Sequence, residues 1–289
     1  MHPVIYLNKT MVEATRARVA PVSSAMLYGR GVFTTLAIYH SQPFLWSNHW
    51  QRLAAHAKRL DIDHTGCTEK SVGDALRKLI AFNQVKEGRA RVILLARSGR
   101  DIWRTKAAGA KKTDLLIMTG DPQKVSQNGL SLAVSPYRVN TFSPLTGIKS
   151  LNYLDHVLSW EEAQSRDFDE AVVLNERGEI VSATTANLFW AKNGTLHTPA
   201  LSTGALAGIT RDCVIDIANK HFIPLLEGIY EMTDLTDADE IFLTSSSLGI
   251  APVTTFDFRR YSVEGSLTRM IAEGFKHLTT SNDRFPQST

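Results

Sequence analysis

Cysteine is scarce in this chain of 289 residues, which contains only Cys67 and Cys213. Two isolated thiols exclude a disulfide framework, give no basis for a metal site and are typical of a reducing compartment. No apolar run approaches the ~20 residues of a transmembrane helix, and the first residues lack the charged and apolar regions of a secretory signal. We therefore expect a cytoplasmic protein that is complete from its first residue and binds no metal.

A strong charge of either sign is also missing. The 32 Lys and Arg residues nearly balance the 29 Asp and Glu residues, and the net charge of +3 is spread along the sequence. This pattern gives no electrostatic footprint for nucleic acid or for an anionic membrane. We expect a small-molecule substrate, which can be acidic, and neither nucleic acid nor membrane as a partner.

Apolar residues, by contrast, are plentiful. They make up 43% of the chain, which is enough for a large core and is more naturally divided between two domains than packed into one. Around residues 120–124 the composition becomes polar and rich in turn-forming residues. We expect an N-terminal domain over residues 1–120, a linker over 121–128 and a larger C-terminal domain over 129–289.

The N-terminal part alternates strand-like and helix-like segments. Apolar and β-branched residues predict buried strands at residues 32–39, 90–97 and 113–119. Apolar residues recur at helical spacing after Ser47 and Asn48 and again after Ser71, so we expect these polar residues to begin two helices.

The C-terminal part is richer in short strands. Strands are predicted at residues 130–135, 170–174, 179–182, 187–191 and 240–244. Helices are predicted at residues 152–163, 209–220 and 263–278. The mixture indicates an α+β or mixed α/β domain with a barrel-like sheet.

Five short segments carry the functional signal. Segment 146–153 reads TGIKSLNY and places Lys149 in a polar turn; the others read YGRGVFTT (28–35), HWQRL (49–53), ANLFW (186–190) and GITRD (208–212). In this order and spacing they resemble the fold-type IV pyridoxal-phosphate enzymes, which include branched-chain aminotransferases, D-amino-acid aminotransferases and aminodeoxychorismate lyases. The resemblance covers nearly the whole chain. It implies a two-domain α/β (α+β) fold, with an N-terminal α/β sandwich and a C-terminal barrel-like sheet.

The resemblance assigns the catalytic residues. Lys149 would hold pyridoxal 5′-phosphate as a Schiff base and move protons, for which its pKa must be lowered by burial or by nearby cations. Thr35 matches the threonine that assists proton transfer in this family. Without the accompanying segments, Lys149 would be read as a surface lysine at a helix start.

The phosphate group has candidate ligands in both halves of the sequence. Backbone N–H groups of Ile209 and Thr210 stand at a predicted helix N-terminus, where an anion is favoured. Arg52, Ser246 and Ser247 match phosphate contacts of the family. Taken alone, Arg52 would be a solvated helix arginine and the serines a polar turn.

The ring-nitrogen position departs from the family. A glutamate stands five residues before the conserved asparagine in relatives, but counting back from Asn187, a second cofactor-binding candidate, gives Ser182. A hydroxyl lacks the charge that raises the pKa of the pyridine nitrogen, so the cofactor would be a weaker electron sink. This favours a lyase over a transaminase. The alternative is that Glu179 or a shifted register supplies the carboxylate.

Two further motifs separate the family's activities. Phe-Thr-Thr at 33–35 resembles aminodeoxychorismate lyases, and Ala37 stands where branched-chain aminotransferases have an arginine. The Lys-Ser-Leu-Asn spacing at 149–152 fits lyases and D-amino-acid aminotransferases. Ser245, however, replaces an asparagine of the lyase pattern, which leaves the substrate's ring contacts open.

Substrate recognition is expected from the loop 97–104, which offers three arginines beside a tryptophan. Arg100 is the closest match to the family's substrate-carboxylate arginine, whereas Arg97 and Arg104 fit a solvated basic loop nearly as well. Tyr28, Tyr153 and Ser245 complete the expected substrate set. The family's site lies at a domain boundary and includes a loop of a second subunit, so the resemblance implies a homodimer.

The sequence therefore indicates a 4-amino-4-deoxychorismate lyase that forms pyruvate and 4-aminobenzoate for folate biosynthesis. The alternative is a class IV aminotransferase acting on D- or branched-chain amino acids or on amines. A third class, a cofactor-binding protein without turnover, would require Lys149 to be an accident of position.

Overall fold

The computed structural model describes residues 1–97, 112–124, 128–256, 258–262 and 265–280. It divides into two compact units: unit 1 comprises Met1–Gln123 and Ile148–Tyr153, and unit 2 comprises Lys124–Gly147 and Leu154–Thr289. Within the described ranges, no helix has the length and apolar character needed to cross a membrane.

Unit 1 is built on one antiparallel sheet covered by helices. Its strands are β1 (Val4–Leu7), β2 (Thr10–Glu13), β3 (Gly31–Tyr39), β4 (Gln42–Pro43), β5 (Gly88–Ala96) and β6 (Thr113–Gly120). Its helices are α1 (Ser24–Tyr28), α2 (Trp46–Arg59) and α3 (Glu69–Phe82). The strand order is β2-β1-β6-β5-β3-β4. Leu53 of α2 and Leu76 of α3 are buried in one cluster with Val32 and Leu36 of β3, as the apolar helix stripes require.

The two predicted helix starts were wrong by a few residues. Helix α2 begins at Trp46, and its N-cap is Leu45 in the left-handed conformation with φ 49°, so Ser47 and Asn48 lie inside the first turn. Helix α3 begins after Thr68, whose hydroxyl accepts from the N–H of Ser71 at 3.1 Å. The hydroxyl of Ser71 accepts from the N–H of Thr68 in return, which completes a capping box.

The lysine segment belongs to unit 1, although the expected division by sequence places it after the linker. Leu151 donates its N–H to the carbonyl of Gly31 at 2.9 Å, and Phe33 donates its N–H to the carbonyl of Lys149 at 3.0 Å. Val32 and Ser150 form a bridge between these two bonds. Residues 148–153 therefore lie along the edge of β3, joined to it by one bridge and these two hydrogen bonds.

Unit 2 contains a curled mixed sheet with helices against it. Its strands are β7 (Leu130–Val139), β8 (Glu170–Asn175), β9 (Ile180–Ala183), β10 (Asn187–Lys192), β11 (Thr195–Pro199), β12 (Leu225–Gly228), β13 (Glu240–Ser245), β14 (Gly249–Phe256) and β15 (Arg259–Arg260). Its helices are α4 (Leu154–Ser165), α5 (Ile209–Lys220), α6 (Met232–Thr236) and α7 (Ser266–Thr280).

The curl of this sheet follows from its strand order, β12-β11-β10-β13-β14-β7-β8-β9. Strand β9 stands at one end of the order but turns directly into β10, with the N–H of Ala183 donating to the carbonyl of Ala186 at 2.9 Å. The sheet must therefore bend back on itself, and Trp190, Leu243 and Phe256 fill its interior. The α+β class and the barrel-like C-terminal sheet are confirmed.

Candidate active site

Lys149 lies between two aromatic rings of unit 1. Its Nζ is 4.7 Å from the centroid of Phe33 and 4.9 Å from that of Tyr153, and it donates to the Tyr153 hydroxyl at 3.3 Å. The rings meet edge to face at 5.3 Å. The amine therefore has an apolar wall on two sides and one polar partner.

The electrostatic surroundings of Lys149 favour the neutral amine. Burial, and after it the positive charges of Arg52 and Arg91, together lower the pKa of Lys149 to about 7. A lysine with this pKa is substantially deprotonated at neutral pH. It can therefore act as a nucleophile and as a proton acceptor.

Arg52 is held by a buried network on the other face of β3. Its Nη2 donates to the hydroxyl of Thr34 at 3.2 Å, and that hydroxyl is 2.7 Å from Nδ1 of His49. Burial and the charge of Arg52 lower the pKa of His49 well below its ordinary value, so this imidazole is neutral. Thr34 accepts from Arg52 and can donate to His49, which fixes the guanidinium.

Arg91 is the residue that the sequence did not single out. It lies directly opposite Thr35 across β3 and β5, and its Nε donates to the Thr35 hydroxyl at 3.1 Å. Its guanidinium lies over the ring of Phe33, 4.7 Å from the centroid, and the amine of Lys149 contacts the same ring. The side chain is exposed, so this cation is accessible to an anion from solvent.

The residues expected to bind the substrate differ in their surroundings. Arg100 lies outside the described residues. Arg97 pairs with Asp114 at 3.3 Å, so its charge is already matched. Tyr28 ends α1 with 46% of its surface exposed. Tyr153 contacts Lys149, as stated above.

In unit 2 the N-terminus of α5 is shaped by one glycine. Gly208 is the N-cap, and a Cβ atom there would stand 2.0 Å from Oδ1 of Asn187. The amide of Asn187 donates to the carbonyl of Leu206 at 2.9 Å, which locks its orientation. Ile209 and Thr210 follow in the first turn and are buried. Their N–H groups belong to the turn that makes no intrahelical bonds, so this end favours an anion.

Hydroxyl groups gather at the end of β13. Thr244 is buried, and among the described residues its Oγ1 has no hydrogen-bond partner. Ser245 ends the strand, and its hydroxyl accepts from the N–H of Leu248 at 3.2 Å. Ser246 and Ser247 form the turn into β14. An unpaired buried hydroxyl costs free energy, so the Thr244 oxygen indicates a place for a further polar group.

Ser182 lies on β9, paired with Val173, and is buried. Glu179, directly before β9, and Glu170, on the neighbouring strand β8, both accept hydrogen bonds from other groups. Glu179 accepts from Nη2 of Arg177 and from Nδ2 of Asn175, both at 2.7 Å. Glu170 accepts from the hydroxyls of Thr184 and Thr185 and from the N–H of Thr185. The bonds to Arg177 and Asn175 hold Glu179 in the β8–β9 turn.

Comparison with known proteins places this arrangement in a family context. A family model described as amino-transferase class IV matches residues 31–256. A protein assigned as a branched-chain-amino-acid aminotransferase in Methanocaldococcus jannaschii is 33% identical over 96% of both chains. An aminodeoxychorismate lyase of Bacillus subtilis is 32% identical over 89% of this chain and 88% of its own. The branched-chain amino acid aminotransferase structure from Escherichia coli has a TM-score of 0.88 at 28% identity, covering 97% of this chain and 95% of that one.

Proposed function

The chain belongs to the class IV aminotransferase family and is an enzyme that uses pyridoxal 5′-phosphate; from this premise we propose that it is a lyase. Its substrate would be 4-amino-4-deoxychorismate, and its products pyruvate and 4-aminobenzoate, as in folate biosynthesis. The observation that carries the proposal is Ser182, a hydroxyl at the position where relatives carry the glutamate for the ring nitrogen.

The residues of this chain fit the cofactor. The buried amine of Lys149, with a pKa of about 7, suits covalent attachment. The α5 N-terminus, where a Cβ at Gly208 would clash with Asn187, suits a phosphate. The buried hydroxyl of Thr244, two residues before Ser246, has no partner among the described residues and can bond to a further polar group. The residues proposed to hold the cofactor are Lys149, Arg52, Ser182, Asn187, Ile209, Thr210, Ser246 and Ser247.

When bound, the cofactor withdraws electrons from the carbon that bears the substrate's amino group. How strongly it does so depends on the charge of its ring nitrogen. A serine hydroxyl gives that nitrogen no compensating negative charge, and Glu179 and Glu170 already accept other hydrogen bonds. Expulsion of a leaving group that creates an aromatic ring needs less electron withdrawal than transamination does, so Ser182 favours the lyase.

The side chains of unit 1 would then move the proton. Lys149 takes the proton from the amine-bearing carbon, and the bond from the neighbouring carbon to the enolpyruvyl oxygen breaks. The ring becomes aromatic, and the released enolpyruvate takes up a proton, which replaces the one that Lys149 removed, and becomes pyruvate. Thr35 keeps its own hydroxyl proton available, because its oxygen accepts from Arg91. This arrangement allows Thr35 to relay the proton.

Arg91 supports an acidic substrate. Its exposed guanidinium stands over Phe33, the ring that Lys149 also contacts, and it can pair with a carboxylate. Aminodeoxychorismate carries two carboxylates. Arg100, Tyr28, Tyr153 and Ser245 complete the proposed substrate contacts. We also propose a cytoplasmic homodimer, as the family resemblance implies.

An aminotransferase is the second candidate. The similarity to branched-chain aminotransferases favours it, since these include relatives covering 95% or more of both chains. Arg91 would then receive the carboxylate of an acidic amino donor. The shared scaffold serves both reactions, so the site residues decide between them.

The test compares two products from the same enzyme. Purified protein is given aminodeoxychorismate, and pyruvate release is measured; separately it is given amino donors, and conversion of the bound cofactor to pyridoxamine 5′-phosphate is measured. We expect pyruvate release without an amino acceptor. Stable conversion to pyridoxamine 5′-phosphate with no pyruvate release would establish the aminotransferase instead.

The role of Ser182 is tested by Ser182→Glu with Ser182→Gln as its matched control. Both variants add similar volume, but only the glutamate adds a charge. We expect the ratio of pyridoxamine phosphate formation to pyruvate release to rise in Ser182→Glu alone. Equal ratios in the two variants would remove the argument from the ring nitrogen.

A further inference from the structure

Helix α2 carries a buried imidazole that the proposed reaction does not use. His56 is 8% exposed, and its Nδ1 accepts a hydrogen bond from the backbone N–H of Lys149 at 3.1 Å. We propose that His56 is a positioning residue that fixes the backbone of Lys149 and thereby aims its amine. The proposal rests on Lys149 being the cofactor lysine, as in the proposed function, but not on the choice between lyase and aminotransferase.

The backbone of Lys149 is held from two directions. On the C-terminal side β3 holds it, since the Lys149 carbonyl accepts from the N–H of Phe33 at 3.0 Å and Leu151 bonds to Gly31. On the N-terminal side the chain comes from Gly147, which has φ 71° and open space around it. Ile148 is buried in the core on this side, and the bond from the Lys149 N–H to His56 is the hydrogen bond that anchors the backbone of Lys149 itself there.

This anchor fixes a direction as well as a position. The peptide plane before Lys149 is set by the N–H that points to His56, and the plane after it is set by the carbonyl that points to Phe33. With both planes fixed, the Cα–Cβ bond of Lys149 has one direction. That direction leads the amine between the rings of Phe33 and Tyr153.

The anchor requires a neutral imidazole, because a protonated Nδ1 donates and cannot accept. The charged groups that act on His56 are Arg52 and Arg59 of its own helix and Lys149 of the segment beside β3. All three are cations. Burial first, and then these charges, lower the pKa of His56 to about 4. His56 therefore stays an acceptor over the range in which Lys149 loses its proton.

Two substitutions separate positioning from packing. His56→Leu keeps an apolar side chain of moderate size but removes the acceptor, so the Lys149 N–H loses its partner. His56→Asn places Oδ1 where Nδ1 stood and restores an acceptor. If positioning is the role of His56, the asparagine variant recovers what the leucine variant loses.

The first readout does not depend on turnover. In cofactor-free protein with ¹³C-labelled lysine, the titration of Lys149 is followed by NMR, and its signal is assigned with Lys149→Met. In His56→Leu we expect the midpoint to rise by about one pH unit, because a freed amine regains contact with water. In His56→Asn the midpoint stays near that of wild type. Thermal unfolding of each variant reports whether the fold is intact.

The second readout uses the loaded enzyme. His56→Leu should lower kcat about tenfold or more with little change in KM, because a misaimed amine slows proton transfer rather than substrate binding. An unchanged Lys149 titration in His56→Leu overturns the proposal, as does an equal loss of kcat in the leucine and asparagine variants. If Lys149→Met keeps the visible absorbance of bound cofactor, the assumption about Lys149 fails instead, and the two failures are distinct.

Discussion

The two units handle charge in opposite ways. The lysine site of unit 1 collects cations: Arg52 and Arg91 act on Lys149, and two neutral histidines contact the same network. The α5 N-terminus of unit 2 offers backbone N–H groups around Gly208 instead. Arg211, in its first turn, directs its guanidinium away, donating to the carbonyl of Pro199 and pairing with Glu227.

This difference determines how each region responds to change. Crowded cations raise the cost of protonating Lys149, so substitutions in unit 1 should act through charge and should depend on pH. An anion site made of helix N–H groups contains no titrating side chain. The candidate site at α5 should be most sensitive to added volume at Gly208, because this residue lies close to Asn187. Substitutions there should act through shape, with the same effect at every pH.

The largest effect is expected from Lys149→Met. Turnover should be lost, since the variant lacks the amine that we propose attaches the cofactor and moves the proton. The cofactor-free variant should also be more stable than wild type, by roughly 3 to 5 kcal/mol at pH 6 at ~1.4 kcal/mol per pKa unit.

The pH dependence of that gain follows from the sign of the shift. The folded pKa of Lys149, about 7, lies below the ordinary value of 10.5, so the cost of burying the ammonium is present below pH 7 and fades as the pH rises toward 10.5. Urea unfolding at pH 6 and pH 9.5 measures it. Lys220→Met changes an exposed lysine and should show no such trend. A gain that is equal at both pH values would contradict the charge argument.

Gly208→Ala tests the opposite region. The new Cβ would stand 2.0 Å from Oδ1 of Asn187, so the start of α5 or the asparagine must shift. At about 1 to 3 kcal/mol for overpacking, cofactor retention should weaken by roughly 10- to 100-fold. Retention through dialysis at pH 6 and pH 9 should fall equally. Gly66→Ala meets no atom within 4 Å and serves as the control; if both variants keep the cofactor, Gly208 is not needed for the anion site.

Arg52→Ala should have the smallest effect of the three. Arg52 is only partly buried, so loss of its charged hydrogen bond should cost about 1.5 kcal/mol, the lower end of the usual range; cofactor affinity should fall about tenfold, and less at high salt. The pKa of Lys149 should rise, since Arg52 helps to lower it. Arg59→Ala removes an exposed cation from the same helix and is the matched control. Equal cofactor affinities in the two variants would show that Arg52 does not bind the cofactor phosphate.

Local patterns in the sequence determined most of the elements. Helix α5 was predicted at residues 209–220 and spans Ile209–Lys220, because its apolar spacing follows a glycine cap. Strands β3 and β5 were predicted within two residues of their ends. Strand β14, however, was not predicted, since a proline interrupts its apolar and β-branched residues. The predicted starts of α2 and α3 were also displaced, because α2 follows Leu45 in the left-handed conformation without a side-chain cap and α3 is capped by Thr68.

The sequence by itself determined the family and the position of helix α5, and it predicted Lys149 as the cofactor lysine, since these signals lie in contiguous motifs. Only the tertiary structure decided the neighbours of Lys149. Arg91 stands opposite Thr35 through the register of β3 and β5, and His56 reaches the Lys149 N–H across 93 residues of sequence. Periodicity reports which face of an element is buried but not which residue of another element it meets. Register and helix docking set those contacts, and with them the pKa of the lysine.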